Sequence, residues 1–197
     1  MISRPSRKGF TLIELLVVIA IVAVVSVVVV LTLNPAELLR RARDANRISD
    51  MASLRTSLAL YLANVSSPTL TSSTGYGRCY ITVATTNCNF GFSSFPALNS
   101  TSAASTSTAV QSNGWLPVDF TQISSGPPLG SLPIDPVNTA ASGCEYAYAA
   151  TGTTLTYKLV ASCMESTKYS RGGSNDVEST DGGSFPDTYE VGTNLSL

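Results

Sequence analysis

Gly9-Phe10-Thr11-Leu12-Ile13-Glu14 opens an apolar run that continues to Leu33 and sets the organisation of the whole chain. The 24 residues of this run, 10–33, carry a single charge, that of Glu14. As a helix rising ~1.5 Å per residue they extend about 36 Å, and the hydrocarbon core of a bilayer is about 30 Å thick. The run therefore predicts a membrane-spanning helix.

A short basic segment, residues 1–9, precedes the run and contains Arg4, Arg7 and Lys8. A secretory signal peptide has its small-residue cleavage site after the apolar region. Here the only obvious candidate for a cleavage site is Gly9, which comes before the apolar region. The order is the inverse of an ordinary signal peptide.

The stretch GFTLIELLVVIAIV, residues 9–22, resembles the prepilin leader junction of type IV pilins and type II secretion pseudopilins. The resemblance rests on a glycine, a phenylalanine and a glutamate four residues further on, in an otherwise uncharged span. It implies that a prepilin peptidase cuts between Gly9 and Phe10 and methylates the new amino group of Phe10. It also implies that residues 1–9 are cytoplasmic and everything after about residue 34 is outside.

Glu14 is the one charged residue of the span, and it has two interpretations. A carboxylate inside hydrocarbon costs on the order of 3 kcal/mol, so it usually has a partner or lies near the interface. Glu14 is only about 6 Å along the helix from Phe10 and could reach headgroup water. Alternatively, it pairs with the cationic amino group of Phe10 on a neighbouring subunit and sets the axial register. The family resemblance implies this second role in assembly.

The segment 34–64 is predicted to continue the helix as an amphipathic half. Pro35 lacks a backbone donor and disfavours helical conformation before it, so a kink or an unwound turn is expected at Asn34-Pro35. The predicted apolar stripe consists of Ala45, Ile48, Ala52, Leu58 and Leu62, with Met51 and Tyr61 at its edges. The predicted polar side, which is either a solvated face or a contact between subunits, consists of Arg43, Asp44, Arg47 and Asp50.

Four cysteines follow the span, and in an exported segment they favour two disulfides over buried free thiols. Residues 144–150 and 154–163 both alternate in polarity and predict a hairpin. Folding it about residues 153 and 154 sets Tyr148 opposite Leu159 and Tyr146 opposite Ala161. The same register places Cys144 opposite Cys163, and a one-residue slip would destroy this agreement. The predicted pairs are therefore Cys144 with Cys163 and Cys79 with Cys88.

The remaining segments differ in composition. Residues 65–113 are rich in serine and threonine and predict a variable loop region, whereas residues 114–173 hold the predicted β-sheet. Within the latter, Leu132-Pro-Ile-Asp-Pro-Val-Asn138 resembles a loop that precedes the hairpin of major pseudopilins. Residues 174–197 form an acidic C-terminal loop with no lysine or arginine.

Calcium is the candidate ligand of this acidic loop, through Asp176, Asp181 and Asp187. The carboxylate spacing matches no EF-hand, but Asp181-Gly-Gly is similar to the calcium loop of major pseudopilins. A solvated acidic tail is the alternative on composition alone. No cofactor is otherwise expected.

Composition limits the functions that remain. The chain has no histidine, which removes Ser-His-Asp and Cys-His catalysis and the usual zinc sites, so no enzyme is expected. Loss of the three leader cations takes the formal net charge from −1 to −4, which gives no case for nucleic-acid binding.

The predicted fold is α+β and pilin-like, a long N-terminal helix on a small antiparallel sheet. The resemblance implies a structural subunit that forms a helical filament with copies of itself and depends on a prepilin peptidase, an assembly ATPase and a membrane platform protein. The precursor would be a single-pass protein of the cytoplasmic membrane and the product a cell-surface or periplasmic filament. The alternative is a membrane-anchored adhesin or lectin whose exposed tyrosines and Trp115 contact sugar.

Overall fold

The computed structural model of the chain describes residues 9–71, 79–81, 103–139, 141–152 and 154–197. The chain divides into two compact units, Met1–Leu39 and Arg40–Leu197. Two long helices are followed by a small sheet in which most neighbouring strands are antiparallel. The predicted α+β, pilin-like arrangement is confirmed.

The N-terminal helix is interrupted once, at the predicted place. Helix α1 spans Leu12–Leu33 and helix α2 spans Pro35–Asn64. Asn34 between them has φ 43° and ψ 74°, in the left-handed region that asparagine tolerates better than most residues. Proline suits the first position of α2, because the backbone donor that it lacks would have no partner within the helix there.

The sheet has five strands in the order β2-β1-β3-β4-β5. All neighbouring strands are antiparallel except β1 and β2, which are parallel. The sheet draws strands from outside the predicted region 114–173, namely from the serine- and threonine-rich segment and from the acidic C-terminal segment. The strands are β1 Cys79–Ile81, β2 Ala103–Ala104, β3 Tyr146–Ala150, β4 Tyr157–Ala161 and β5 Tyr189–Gly192.

The β3–β4 hairpin has the predicted register. Tyr146 is the partner of Ala161 and Tyr148 is the partner of Leu159. Just beyond the strands, Cys144 and Cys163 form a disulfide, with their Cα atoms 5.3 Å apart. This pairing confirms the prediction. Cys88 lies outside the described residues, so the Cys79–Cys88 disulfide stays a prediction.

The buried face of α2 includes Leu58 of the predicted stripe and its predicted edges Met51 and Tyr61, but is otherwise displaced by one residue. Ala45 and Ala52 are exposed, and Ile48 and Leu62 are only half-buried. The buried side chains instead recur at alternating spacings of three and four residues, which keeps them on one face of the helix. They are Asp44, Arg47, Met51, Leu54, Leu58 and Tyr61, and Glu37 and Ser57 of the same helix are also buried.

This face of α2 belongs to a core that includes several large aromatic side chains with polar ends. The Trp115 indole nitrogen donates to the Pro133 carbonyl at 2.9 Å, and the Tyr148 hydroxyl donates to the Leu70 carbonyl at 2.9 Å. The Tyr146 hydroxyl donates to the Asp50 carboxylate at 2.7 Å. Because buried polar groups without partners are costly, these bonds allow whole aromatic side chains to be buried.

A cluster of charged side chains explains why the buried face of α2 differs from the predicted apolar stripe. We call it the Arg47 cluster, and it consists of Arg43, Asp44, Arg47, Asp135 and Glu165. The Arg47 guanidinium is fully buried and forms a two-bond fork with Asp135, at 2.6 and 3.0 Å. It also donates to Asp44 at 2.7 Å and to Glu165 at 2.9 Å. A guanidinium presents five donors in one plane, so it can serve three carboxylates at once.

The carboxylates of the Arg47 cluster also bind main-chain groups. Asp135 accepts from Val137 N at 2.8 Å, which orders the proline-containing loop. Asp44 accepts from the backbone of the segment after Cys163, at Glu165 N (3.0 Å) and Ser166 N (2.8 Å). The predicted polar side of the helix is therefore neither a solvated face nor a subunit contact at Asp44 and Arg47, because both side chains bind their own chain.

Replacing Arg47 tests this cluster. Arg47→Met keeps the apolar stem but leaves Asp44 and Asp135 buried without a cation, so we expect it to lower the free energy of unfolding by about 3–5 kcal/mol. The measurement is urea unfolding of the detergent-solubilised chain, followed by the fluorescence of its single, buried tryptophan. Arg55→Met, at an exposed position of the same helix, is the control and should change the value by no more than about 0.5 kcal/mol. Equal effects of the two substitutions would contradict the account.

Acid should weaken the same cluster through Glu165. The hydrogen bond from Arg43 lowers the pKa of Glu165 below its ordinary value of 4.5. A lowered folded-state pKa stabilises the fold fully above pH 4.5, and the contribution disappears as pH falls through the lowered value. The difference in unfolding free energy between the native chain and Glu165→Gln should therefore be constant from neutral pH to about pH 5 and shrink below it. A difference that grows on acidification would refute this assignment.

Candidate functional site

The predicted cleavage junction lies immediately before helix α1. Gly9 and Phe10 are outside the helix and exposed, with Phe10 85% accessible. Thr11 has an extended conformation, φ −81° and ψ 152°, and serves as the N-cap of α1. The bond between Gly9 and Phe10 is therefore in a segment without helical hydrogen bonds, which suits entry into a peptidase. Residues 1–8 of the predicted leader lie outside the described residues.

Glu14 binds the helix terminus in a capping box with Thr11. The Thr11 hydroxyl accepts from Glu14 N at 3.3 Å, and Glu14 Oε2 accepts from Thr11 N at 2.8 Å and from the Thr11 hydroxyl at 2.7 Å. This arrangement satisfies backbone donors that the first turn would otherwise leave unpaired. The Thr-x-x-Glu pattern is a sequence signal for this cap, and it adds a third role for Glu14 to the two predicted ones, contact with headgroup water and assembly.

The capping box fixes the position of the Glu14 carboxylate, the group that is predicted to contact a neighbouring subunit. All the hydrogen bonds described for its carboxylate run to one oxygen, Oε2, and hold the side chain beside the first turn of α1. The carboxylate thus has a defined position four residues from Phe10. Its pairing with the amino group of a neighbouring Phe10 stays a prediction.

Helix α1 exposes apolar side chains on all its sides. Ser26 and Thr32 interrupt the apolar surface, and each hydroxyl donates to a carbonyl one turn back, at 2.7 and 2.9 Å. Polar groups that are satisfied within the helix in this way are compatible with hydrocarbon. The exposed large apolar side chains are those of Phe10, just before the helix, and of the helical residues Leu12, Ile13, Leu15, Leu16, Val17, Val18, Ile19, Ile21, Val22, Val24, Val25, Val27, Val28, Val29, Val30 and Leu33.

Such a surface requires another apolar partner. Among the described residues, one helical stretch, Leu12–Val30, is long and apolar enough to cross a membrane, and none of it is buried. A helix that is apolar all round is typical of a membrane span or of the interior of a bundle, whereas a helix on the surface of a globular protein has a polar face. The apolar surface of α1 therefore fits a lipid bilayer or a bundle of similar helices, and it could occupy one and then the other.

The three carboxylates predicted to bind calcium have separate partners. Asp176 accepts from Gly172 N at 2.8 Å and Ser179 N at 2.9 Å, and hydrogen bonding with Ser179 lowers its pKa to about 2. Asp187 is exposed and forms an ion pair with Arg171 at 3.1 Å.

Asp181 lies instead at the edge of the sheet, where it accepts from Gly183 N at 2.7 Å and from Glu190 N of β5 at 2.5 Å. Burial raises its pKa. Within the described part of the chain, no three or more His, Cys, Asp or Glu side chains are grouped so that they could hold a metal ion. The three aspartates do not form a ready ligand set, and calcium binding by them stays a prediction.

Comparison with known families matches residues 4–30 to the prokaryotic N-terminal methylation motif. Comparisons with curated proteins and with solved structures gave no match. The match covers the basic segment, the cleavage junction, Glu14 and most of α1. The chain carries a type IV pilin-like prepilin leader, and this motif points to a structural, non-enzymatic protein with a membrane-anchored precursor.

Proposed function

We propose that this chain is the structural subunit of a type IV pilus or of a type II secretion pseudopilus. It is inserted into the cytoplasmic membrane as a prepilin, cleaved between Gly9 and Phe10, methylated on the amino group of Phe10, and polymerised through α1. The observation that carries the proposal is the exposed, predominantly apolar surface of α1, which contains one carboxylate, Glu14, and of which most lies within the methylation motif.

The physical basis is where α1 can bury its surface. Before assembly, the bilayer shelters the apolar side chains. In a filament, the α1 helices of neighbouring subunits bury one another, and each Å² of apolar surface kept from water favours the polymer by about 25 cal/mol relative to an exposed helix. Head-to-tail contacts between identical subunits that do not close into a ring give an open helical assembly, which is the form we propose.

Partners follow from this route. The precursor lies across the cytoplasmic membrane with its N-terminus inside and residues after about 34 outside, and the product is a filament at the cell surface or in the periplasm. A prepilin peptidase processes the leader, while an assembly ATPase and a membrane platform protein supply the work of extraction. The subunit itself carries out no chemistry, and calcium on the C-terminal aspartates would be an accessory to the fold.

A membrane-anchored adhesin or lectin is the alternative, and it would need Trp115 and exposed tyrosines to contact sugar. Trp115, Tyr61, Tyr146, Tyr148 and Tyr157 are buried in the core. The described surface therefore does not present these rings as a stacking platform.

The mature amino terminus tests processing directly. Mass spectrometry of the chain purified from host membranes should show that it begins at Phe10 with one added methyl group. Gly9→Val places a branched side chain at the cleaved bond, so we expect this variant to keep residues 1–9. Gly130→Val, at an exposed glycine in the second compact unit, is the control and should be processed normally. A native chain that retains its first nine residues would disprove the proposed route.

Glu14→Gln separates assembly from helix capping. Glutamine supports a capping box as glutamate does, so α1 should still form and the leader should still be removed. The negative charge that would attract a neighbouring Phe10 amino group is lost, and we expect filament yield to fall at least tenfold in sheared-cell fractions. Asp187→Asn, which neutralises an exposed carboxylate in the second compact unit, is the control and should leave the yield close to that of the native chain. Filaments of Glu14→Gln in normal amounts would rule out the proposed ion pair.

A further inference from the structure

The most unusual charge outside α1 and the Arg47 cluster is Lys158, in the middle of β4. Its side chain is fully buried, although the alternating pattern of a strand would allow a lysine to face water. Its ammonium nitrogen lies among four oxygen atoms and below an aromatic ring. These groups form what we term the Lys158 cage: Glu190 Oε1 at 2.8 Å, the Leu195 main-chain oxygen at 2.9 Å, Ser184 Oγ at 3.2 Å, the Leu197 main-chain oxygen at 3.2 Å, and the Phe185 ring centroid at 5.4 Å.

All the oxygen atoms of the cage come from one stretch of chain, residues 184–197. Strand β5 lies within this stretch and pairs with β4, with Glu190 opposite Val160. Glu190 and Lys158 are thus diagonal neighbours on the same face of the sheet. The ammonium therefore joins the sheet to the residues both before and after β5.

The Asp181-Gly-Gly turn positions the carboxylate of the cage. Gly182 has φ 84°, in the left-handed region, and a Cβ atom at Gly183 would collide with the Glu190 carboxylate. Ser184 N donates to Glu190 Oε2 at 2.7 Å, and the Asp181 carboxylate accepts from Glu190 N. The motif that suggested a calcium loop in the sequence holds Glu190 against Lys158 instead.

The oxygen atoms of the cage are of the kind that coordinate a hard cation. One carboxylate oxygen, one hydroxyl and two main-chain oxygens are typical ligands of such ions, and here a single ammonium group bonds to them. Its three N–H donors have the Glu190 carboxylate, the Ser184 hydroxyl and two main-chain oxygens within reach, and the aromatic ring adds a cation–π contact. A fully buried ammonium and carboxylate at 2.8 Å are tolerated only because each compensates the other.

We propose that the acidic C-terminal segment is closed by a cation that the chain itself supplies, the Lys158 ammonium, in place of a divalent metal. The segment thus folds over the sheet without calcium, and Lys158 and Glu190 are the residues that hold it. This inference concerns the folded subunit and does not depend on whether the chain polymerises.

The first test uses the full chain in detergent without substitution. Its thermal midpoint and the hydrogen exchange of residues 184–197 should be the same in millimolar calcium and in excess EGTA. A lower midpoint or faster exchange of this segment in EGTA would overturn the proposal, because a bound metal would then be closing the segment.

The second test removes the ammonium. Lys158→Met preserves the stem but leaves Glu190 without a buried cation, so we expect amide exchange in residues 184–197 to rise by at least about tenfold. Lys168→Met is the matched control, since the Lys168 ammonium lies over the Tyr169 ring at 4.7 Å and its side chain is only half-buried. Equal exchange in the two variants would refute the role of Lys158. If Lys158→Met does not fold, Glu190→Gln, which keeps the shape of the acceptor, should show the same local increase in exchange.

Discussion

A helix that is apolar on every side must be surrounded by something other than water, and this constraint governs the molecule. Helix α1 exposes large apolar side chains over its whole length, and no part of Leu12–Val30 is buried. A bilayer would satisfy the constraint for the membrane-anchored precursor, and copies of the same helix would satisfy it in the proposed polymer. The methylation motif over residues 4–30 lies where processing would turn one state into the other, since cleavage after Gly9 removes three cations and leaves the helix intact.

The second compact unit contains buried charged side chains that are paired with one another. Asp44 and Arg47 of α2 face inward. The other carboxylate partners of Arg47 lie far away in sequence, 88 residues for Asp135 and 118 for Glu165. Lys158 and Glu190 form a second buried ion pair, between strands β4 and β5 of the sheet. Buried ion pairs contribute little net stability compared with apolar contacts, but they strongly penalise wrong arrangements, because an unpaired buried charge is costly. Both sets therefore specify how irregular segments pack, in a chain where serine- and threonine-rich stretches offer little apolar surface.

The features that could be predicted from the sequence are those with local causes. The span follows from length and apolarity, the break at Asn34 from Pro35, and the hairpin register from a period of two combined with Cys144 and Cys163. The predicted stripe of α2 was right at Leu58 and at its edges Met51 and Tyr61 but missed Asp44 and Arg47, because charged residues are normally assigned to the surface and two of the carboxylates that compensate Arg47 are distant in sequence. Lys158 was missed for the same reason, since its cage forms only when residues 184–197 fold over β4. The Thr11–Glu14 cap, by contrast, was readable from four consecutive residues.

Assembly through α1 is the central claim, and electron microscopy of host cells that overproduce the chain tests it most directly. Filaments labelled by antibodies against the second compact unit should appear in these cells and be absent when the gene is deleted. If the overproduced chain remains in the membrane as a monomer and no labelled filament forms, the account is contradicted.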